Sequence, residues 1–151
     1  MPDFFAIVGY PNCRKSSTVR ALTGVWQRGT RMVATNAGTF DFFIQITSLQ
    51  EARIMPDAFV TEMRNNNSQR ILAPLWIDPL ADGPVTYPNT ADYLQHFLAN
   101  GWTIREVVVL GANALPYQLP AGCPNPHFVG NPVQLATNEI ASRIRNWWGW
   151  L

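Results

Sequence analysis

One stretch near the amino terminus constrains the fold most, because it combines a buried strand, a tight loop and a helix start. Five consecutive apolar residues, Phe4–Val8, are typical of a central parallel strand covered on both faces. Gly9 marks a sharp bend, and a helix is expected over Lys15–Leu22, ending at Gly24. The first N–H groups of a helix lack intrahelical partners and carry partial positive charge. The sequence therefore predicts an anion site at this loop.

The spacing of Gly9, Lys15 and Ser16 is that of the Walker A pattern, G-x-x-x-x-G-K-S/T, with one departure. The glycine expected before the lysine is Arg14. A loop that wraps its N–H groups around a phosphate often needs positive φ there, which costs a residue with a Cβ about 1 kcal/mol or more. Arg14 is therefore expected to strain or reshape the loop. As a second cation it could instead bind phosphate oxygens itself.

Composition singles out Lys15 independently of the pattern. The chain has eleven Lys and Arg residues, and Lys15 is its one lysine. Arginine serves at every other basic position, whereas a compact ammonium stands where a phosphate site would use it; a chance placement is the alternative. The arginines are scattered and the net charge is +1, which argues against nucleic acid as a partner.

The wider stretch Ile7–Ser17, together with Ala21–Gly24 at the helix end, resembles the first motif of Era-like P-loop GTPases, V-G-x-P-N-x-G-K-S-S/T. The resemblance extends over residues 4–24 and implies that ATP or GTP is bound with Mg²⁺, the Ser16 hydroxyl being a metal ligand. The nucleotide-binding residues that it implies are Gly9, Asn12, Cys13, Arg14, Lys15, Ser16 and Ser17.

A second apolar run, Arg70–Asp78, closes on an acid and has the shape of a Walker B strand. In that interpretation Asp78 would hold Mg²⁺ through water. A turn aspartate ahead of Pro79 is the alternative. Pro74 does not suit a central strand, because proline cannot donate a hydrogen bond to a sheet ladder.

Two other GTPase signatures are missing. The chain has Thr47–Glu51 where the family has D-x-x-G, and Gly111–Pro116 where the family has N-K-x-D, whose acid pairs with guanine. Gln50 and Glu51 could position a water, although a solvated loop also explains them. Two functions therefore remain open. One is a nucleotide-binding protein with slow or absent hydrolysis, whose enzyme activity is undecided; the other is a non-catalytic interaction module that no longer uses nucleotide.

The order of predicted elements is strand, loop, helix, hairpin, helix, strand, helix, strand, short strand and helix. This order predicts one domain, residues 1–151, with a three-layer P-loop NTPase-like α/β fold: a mainly parallel central sheet with one antiparallel hairpin strand. Residues 79–88 are expected to form a loop. The closing amphipathic helix is expected to begin at Asn131-Pro132 and to bury Val133 and Ala136 in its apolar stripe.

The C-terminus is dense in aromatic residues, with Trp147, Trp148 and Trp150 close together. They bring more apolar surface than one helix end easily buries, so we expect a protein partner or a second copy of the chain to contact this cluster.

The two cysteines, Cys13 and Cys123, lie far apart and favour a reducing compartment, hence a cytoplasmic location. Cys13 could be a reactive thiol beside the helix start, or a small residue that fills the loop. The N-terminal apolar run is too short for a signal peptide or a membrane span, so no membrane association is expected.

Overall fold

The computed structural model describes all 151 residues, which form an α/β fold around one six-stranded sheet. In chain order the elements are β1 (Asp3–Gly9), α1 (Lys15–Thr23), β2 (Gly29–Thr35), β3 (Gly38–Ile44), α2 (Pro56–Asn65), β4 (Arg70–Trp76), β5 (Leu80–Asp82), β6 (Val85–Tyr87), α3 (Thr90–Ala99), β7 (Thr103–Leu110), β8 (His127–Val129), a 3₁₀ turn (Pro132–Gln134) and α4 (Thr137–Trp148).

Strand β1 lies inside the sheet, and its position explains why its sequence is apolar throughout. Phe4, Ala6 and Val8 face a core that α2 and α3 cover, whereas Ile7 faces a second core covered by α1 and α4. All four side chains are fully buried. Burying a large apolar side chain to this extent stabilises the fold by about 1.5–3 kcal/mol. Both cores therefore hold β1, and with it the start of the following loop.

The strand order is β2-β3-β4-β1-β7-β8, in which only the β2–β3 pair is antiparallel. The predicted α/β class, with a mainly parallel sheet and one antiparallel hairpin, is confirmed in these terms. Strand β4 is the direct neighbour of β1 and separates it from β3. The end of β4 is consequently next to the loop that follows β1.

Pro74 is tolerated in β4 because β3 has already left the ladder at that point. The last residue pair between the two strands joins Ile44 and Leu72. Beyond it, the Pro74 carbonyl accepts a hydrogen bond from the Leu49 N–H at 3.2 Å. A residue in a strand directs its N and its C=O to the same side, so the Pro74 nitrogen also faces the side from which β3 has departed. No neighbouring strand there needs the N–H that proline lacks.

Two segments differ from the sequence prediction. Residues 80–87 form a two-stranded hairpin rather than a loop, with Gly83 at φ 60° in the turn, a conformation that glycine adopts without strain. The closing helix begins at Thr137, because residues 132–134 turn as a 3₁₀ segment instead. Val133 and Ala136, which were expected in the buried stripe, are exposed as a result.

The C-terminal tryptophans do not form the exposed partner surface that the sequence predicts. Trp148 and Trp150 are only 8% and 6% exposed. Both pack on Phe5, with ring centroids 5.4 and 5.3 Å away, and Trp150 also packs on Phe42. Trp147 is half-buried and stacks on a histidine of β8. The fold's own second core therefore absorbs most of this aromatic surface.

None of the helices has the length and apolar character needed to cross a membrane.

Candidate functional site

The loop between β1 and α1 leaves a row of backbone donors unused. The first bond of α1 runs from the Thr18 N–H to the Arg14 carbonyl at 2.9 Å, and no N–H of residues 12–17 donates a backbone hydrogen bond. No side chain caps the helix start. Asn12 and Arg14 both adopt left-handed backbone, at φ 62° and 68°. The positive φ expected at Arg14 is therefore present, and the N–H groups of residues 12–17 have no carbonyl partner, although those of Cys13 and Lys15 face the Cys13 Sγ.

A cavity of about 530 Å³ lies beside this loop. It is found where β1 and β4 end, the edge at which ligands of open α/β sheets bind. One wall is the loop and the first turn of α1. The other, called the opposite wall below, comes from the turn after β3, the end of β4 and the start of β5. The lining residues are Pro11, Asn12, Arg14, Lys15, Ser16, Ser17, Glu51, Arg53, Trp76 and Leu80.

Lys15 is folded back across the loop. Its side chain is only 5% exposed, and Nζ donates a hydrogen bond to the Tyr10 carbonyl at 2.6 Å and lies 3.6 Å from the Cys13 Sγ. Burial lowers the pKa of Lys15, and the nearby Cys13 and Glu51 oppose this shift. A bound anion would favour the charged ammonium and reverse the effect of burial.

Gly9 and Cys13 form the floor of the loop and do not line the cavity. A Cβ on Gly9 would lie 2.2 Å from the Cys13 Sγ, so only glycine leaves room for this thiol. Cys13 is 6% exposed, and burial raises its thiol pKa despite the nearby Lys15. Of the two interpretations of Cys13, these observations favour a small residue that fills the loop over a reactive thiol.

The Arg14 side chain joins the loop to the segment before α4. Its Nη1 and Nη2 donate hydrogen bonds to the Leu135 and Val133 carbonyls, at 3.0 and 3.2 Å. These two bonds offset the strain of a left-handed arginine. The guanidinium thus already donates hydrogen bonds to protein carbonyls, although Arg14 is also one of the residues that line the cavity.

The opposite wall is built on a buried glutamine. Gln50 is fully buried; its amide nitrogen donates to the Trp76 and Pro88 carbonyls, and its oxygen accepts from the Trp76 N–H. The solvated-loop interpretation is therefore wrong for Gln50. Its neighbour Glu51 is exposed, lines the cavity and accepts a hydrogen bond from the Trp76 indole. Gln50 thus fixes the position of Glu51.

Arg53 on this wall was missed in the sequence. It has left-handed backbone at φ 59°, its Nε donates to the Asp82 carboxylate at 2.7 Å, and its Nη1 donates to the Gln50 carbonyl at 3.1 Å. No sequence signal could have indicated it, because an arginine in a turn has no motif. The fold brings this turn and the loop to the same cavity although β4 separates β3 from β1.

Asp78, the other acid proposed from the sequence, is exposed and does not line the cavity. The preceding residue, Ile77, donates its N–H to the Gly9 carbonyl at 3.1 Å, so the chain passes beside β1 there. Burial raises the pKa of Tyr117 to about 12, and the Asp78 carboxylate contributes to the rise. The acid that lines the cavity is Glu51.

The structure thus brings together Asn12, Arg14, Lys15, Ser16 and Ser17 at one cavity and leaves Asp78 outside it. No group of three or more His, Cys, Asp and Glu side chains could hold a metal ion by itself. The donors at the cavity are hydroxyls such as that of Ser16, and the Glu51 carboxylate. This set fits Mg²⁺, which commonly takes one or two protein ligands together with substrate phosphates.

Comparison with protein-family models, with curated proteins and with solved structures finds no match to this chain. The resemblance to GTPases consequently rests on the residues of the first motif.

Proposed function

We propose that this chain is a P-loop NTPase-like protein that binds the phosphates of ATP or GTP, with Mg²⁺, through the loop Gly9–Ser17. Lys15 and the free N–H groups would hold the phosphates, and Ser16 would contribute its hydroxyl to the metal. Glu51 is a better placed carboxylate partner for the metal than Asp78, because it lines the cavity. A cytoplasmic location, which the two free cysteines favour, belongs to the same proposal.

The observation that carries this proposal is the row of unused backbone donors over residues 12–17, which surrounds the one lysine of the chain. The first N–H groups of any helix lack intrahelical partners, so water or a ligand satisfies them. Here they adjoin a cavity with a lysine and two arginines among its lining residues. A phosphate chain would match both the donors and the charge.

Hydrolysis should be slow or absent. Phosphoryl transfer needs a metal and a water held in line with the terminal phosphate, and a displacement of about 1 Å can cost on the order of a hundredfold in rate. The turn after β3 has no D-x-x-G motif. Glu51, the acid that lines the cavity, is already bonded to the Trp76 indole. Nothing else at the cavity is an obvious base for the attacking water.

A second candidate is an interaction module that keeps the fold without nucleotide. One observation favours it: Lys15 already donates to the Tyr10 carbonyl within the loop, so its ammonium has a partner when no phosphate is present. Because Trp148 and Trp150 are buried, a partner at the C-terminal tryptophans would contact mainly the half-buried Trp147.

Titration calorimetry with ATP and GTP, each with and without Mg²⁺, separates these two candidates. Lys15→Met keeps the buried stem but removes the charge, and should weaken binding by about tenfold or more. Arg31→Met is the matched control, because Arg31 is exposed on the edge strand β2 and should not affect binding. Equal affinities of wild type and Lys15→Met would refute the loop as the phosphate site. A wild type that binds neither nucleotide would favour the interaction module.

A further inference from the structure

Arg53 is held in one orientation by its neighbours. Its Nε donates to the Asp82 carboxylate at 2.7 Å, and its Nη1 donates to the Gln50 and Glu51 carbonyls at 3.1 and 3.3 Å. The bond to Asp82 connects the turn after β3 to the β5–β6 hairpin, and the other two lie within the turn. The three bonds also fix the plane of the guanidinium before any ligand arrives.

The remaining nitrogen of this guanidinium, Nη2, has no partner within the chain, as the hydrogen bonds of Arg53 involve only Nε and Nη1. The side chain is half exposed and lines the cavity. A guanidinium that lines a cavity and has one nitrogen without a partner is suited to bind an oxyanion.

The backbone at Arg53 is strained as well. A φ of 59° is uncommon for a residue with a Cβ, and such conformations are concentrated at ligand-binding sites. The turn is nevertheless well anchored, because the preceding Gln50 is fully buried and bonded to β4 and to Pro88. The strain is thus held by the surrounding structure at the place where the side chain meets the cavity.

The cavity has cationic groups on opposite walls. Lys15 and the free N–H groups lie on the loop wall, and Arg53 lies on the wall formed by the turn after β3. A phosphate chain bound at the helix N-terminus would occupy the cavity that Arg53 also lines, and the group farthest from the loop is the one left for Arg53 to bind. The Glu51 carboxylate on the same wall disfavours a bare anion there, so a metal-bound terminal phosphate fits better than a free one.

We propose that Arg53 determines specificity by binding the terminal phosphate of a nucleoside triphosphate, with Asp82 as its positioning residue. This inference rests on the proposed function of the loop and adds a preference for triphosphate over diphosphate. Arg53→Asn tests it, because asparagine tolerates left-handed backbone while the charge is removed. Arg31→Asn is the matched control on the edge strand β2.

The measurement is titration calorimetry of each variant with MgATP, MgADP, MgGTP and MgGDP, after thermal unfolding has shown that the variants fold. Wild type should bind the triphosphate more tightly than the diphosphate by about tenfold or more. Arg53→Asn should lose this preference, with the affinity for the diphosphate kept within about threefold. Asp82→Asn should reduce the preference only in part, since it frees the guanidinium without removing it.

The outcomes separate this inference from the proposed function. Suppose that Lys15→Met weakens binding. If Arg53→Asn then keeps the wild-type ratio of triphosphate to diphosphate affinity, or if wild type itself shows no preference for triphosphate, Arg53 does not bind the terminal phosphate and the loop proposal survives. If Arg53→Asn weakens both ligands equally, Arg53 acts on the site as a whole and the inference is overturned. If wild type binds none of the four, both proposals are wrong.

Discussion

Arg14→Gly should destabilise the fold even though it removes a strained residue. The substitution deletes two charge-assisted hydrogen bonds, to the Leu135 and Val133 carbonyls, one of them exposed to solvent. Together they should contribute about 2 kcal/mol, less than two bonds at about 1.5–3 kcal/mol each, because solvent weakens the exposed one. Release of the left-handed strain should stabilise the fold by about 1 kcal/mol. The greater freedom of glycine in the unfolded chain opposes this gain by about 0.4–1 kcal/mol. The net loss is about 1–2 kcal/mol.

Two companion variants separate these contributions. Arg14→Asn also tolerates positive φ but lacks the guanidinium, so its loss should be close to that of Arg14→Gly. Arg14→Ala keeps the strain and loses the bonds, and should be less stable than Arg14→Asn by about 1 kcal/mol. Urea denaturation followed by tryptophan fluorescence measures all three free energies of unfolding. If Arg14→Gly is as stable as wild type, the link between the loop and the segment before α4 does not stabilise the protein.

The same Arg14→Gly protein reports on phosphate binding. The guanidinium is engaged on two carbonyls, and a glycine matches the Walker A pattern, so MgATP affinity should stay unchanged or increase. A loss of tenfold or more would identify Arg14 as a phosphate ligand instead.

Three further predictions follow from the packing and the charges. Gly9→Ala should cost about 1–3 kcal/mol of stability in urea denaturation, since its Cβ would lie 2.2 Å from the Cys13 Sγ, and an unchanged free energy would contradict this packing. Trp148→Ala should lower the free energy of unfolding by about 3 kcal/mol or more, whereas Trp26→Ala should lower it little, because Trp26 is 74% exposed. If wild type sediments as a dimer, and Trp148→Ala makes it a folded monomer, Trp148 lies at an interface and not in the core. Burial lowers the pKa of Lys15, and bound phosphate would raise it again. At a pH above the lowered pKa, phosphate binding should therefore be accompanied by proton uptake, and the affinity should fall as the pH rises. Calorimetry in buffers of different ionisation enthalpy measures this uptake, which Lys15→Met should abolish.

The sequence predicts the start of the fold well, because the signals there are local. The apolar run of β1 and the left-handed Gly24 that ends α1 are each specified by a few adjacent residues. The positive φ at Arg14 follows from the Walker A pattern in the same way. The loop residues of the candidate site could therefore be predicted from the sequence alone.

The opposite wall of the cavity could not be predicted, because it depends on strand pairing. Strand β4 lies between β1 and β3, yet the turn after β3 lines the cavity and Asp78 after β4 does not; no local pattern indicates this arrangement. The acid after β4 was proposed as the metal partner since it closes an apolar run, yet the cavity is lined by Glu51 from the turn after β3. Arg53 could not be found for the same reason.

The closing helix shows the limit of periodicity. An apolar residue every three or four positions from Val133 onward predicted one continuous helix, but residues 132–134 form a 3₁₀ turn whose carbonyl at Val133 accepts from Arg14. A contact between residues 119 positions apart in the chain thus accompanies the later start of α4 at Thr137. The exposed Val133 is the consequence.

The central claim is that the N–H groups of residues 12–17 hold a phosphate chain, and amide NMR tests it most directly. Titration of ¹⁵N-labelled protein with MgATP, and separately with MgGTP, should shift the amide protons of these residues downfield, as expected for hydrogen bonds to an oxyanion. The Lys15→Met protein should show smaller shifts at the same ligand concentrations. Shifts confined to other parts of the chain, or none at saturating nucleotide, would contradict the account.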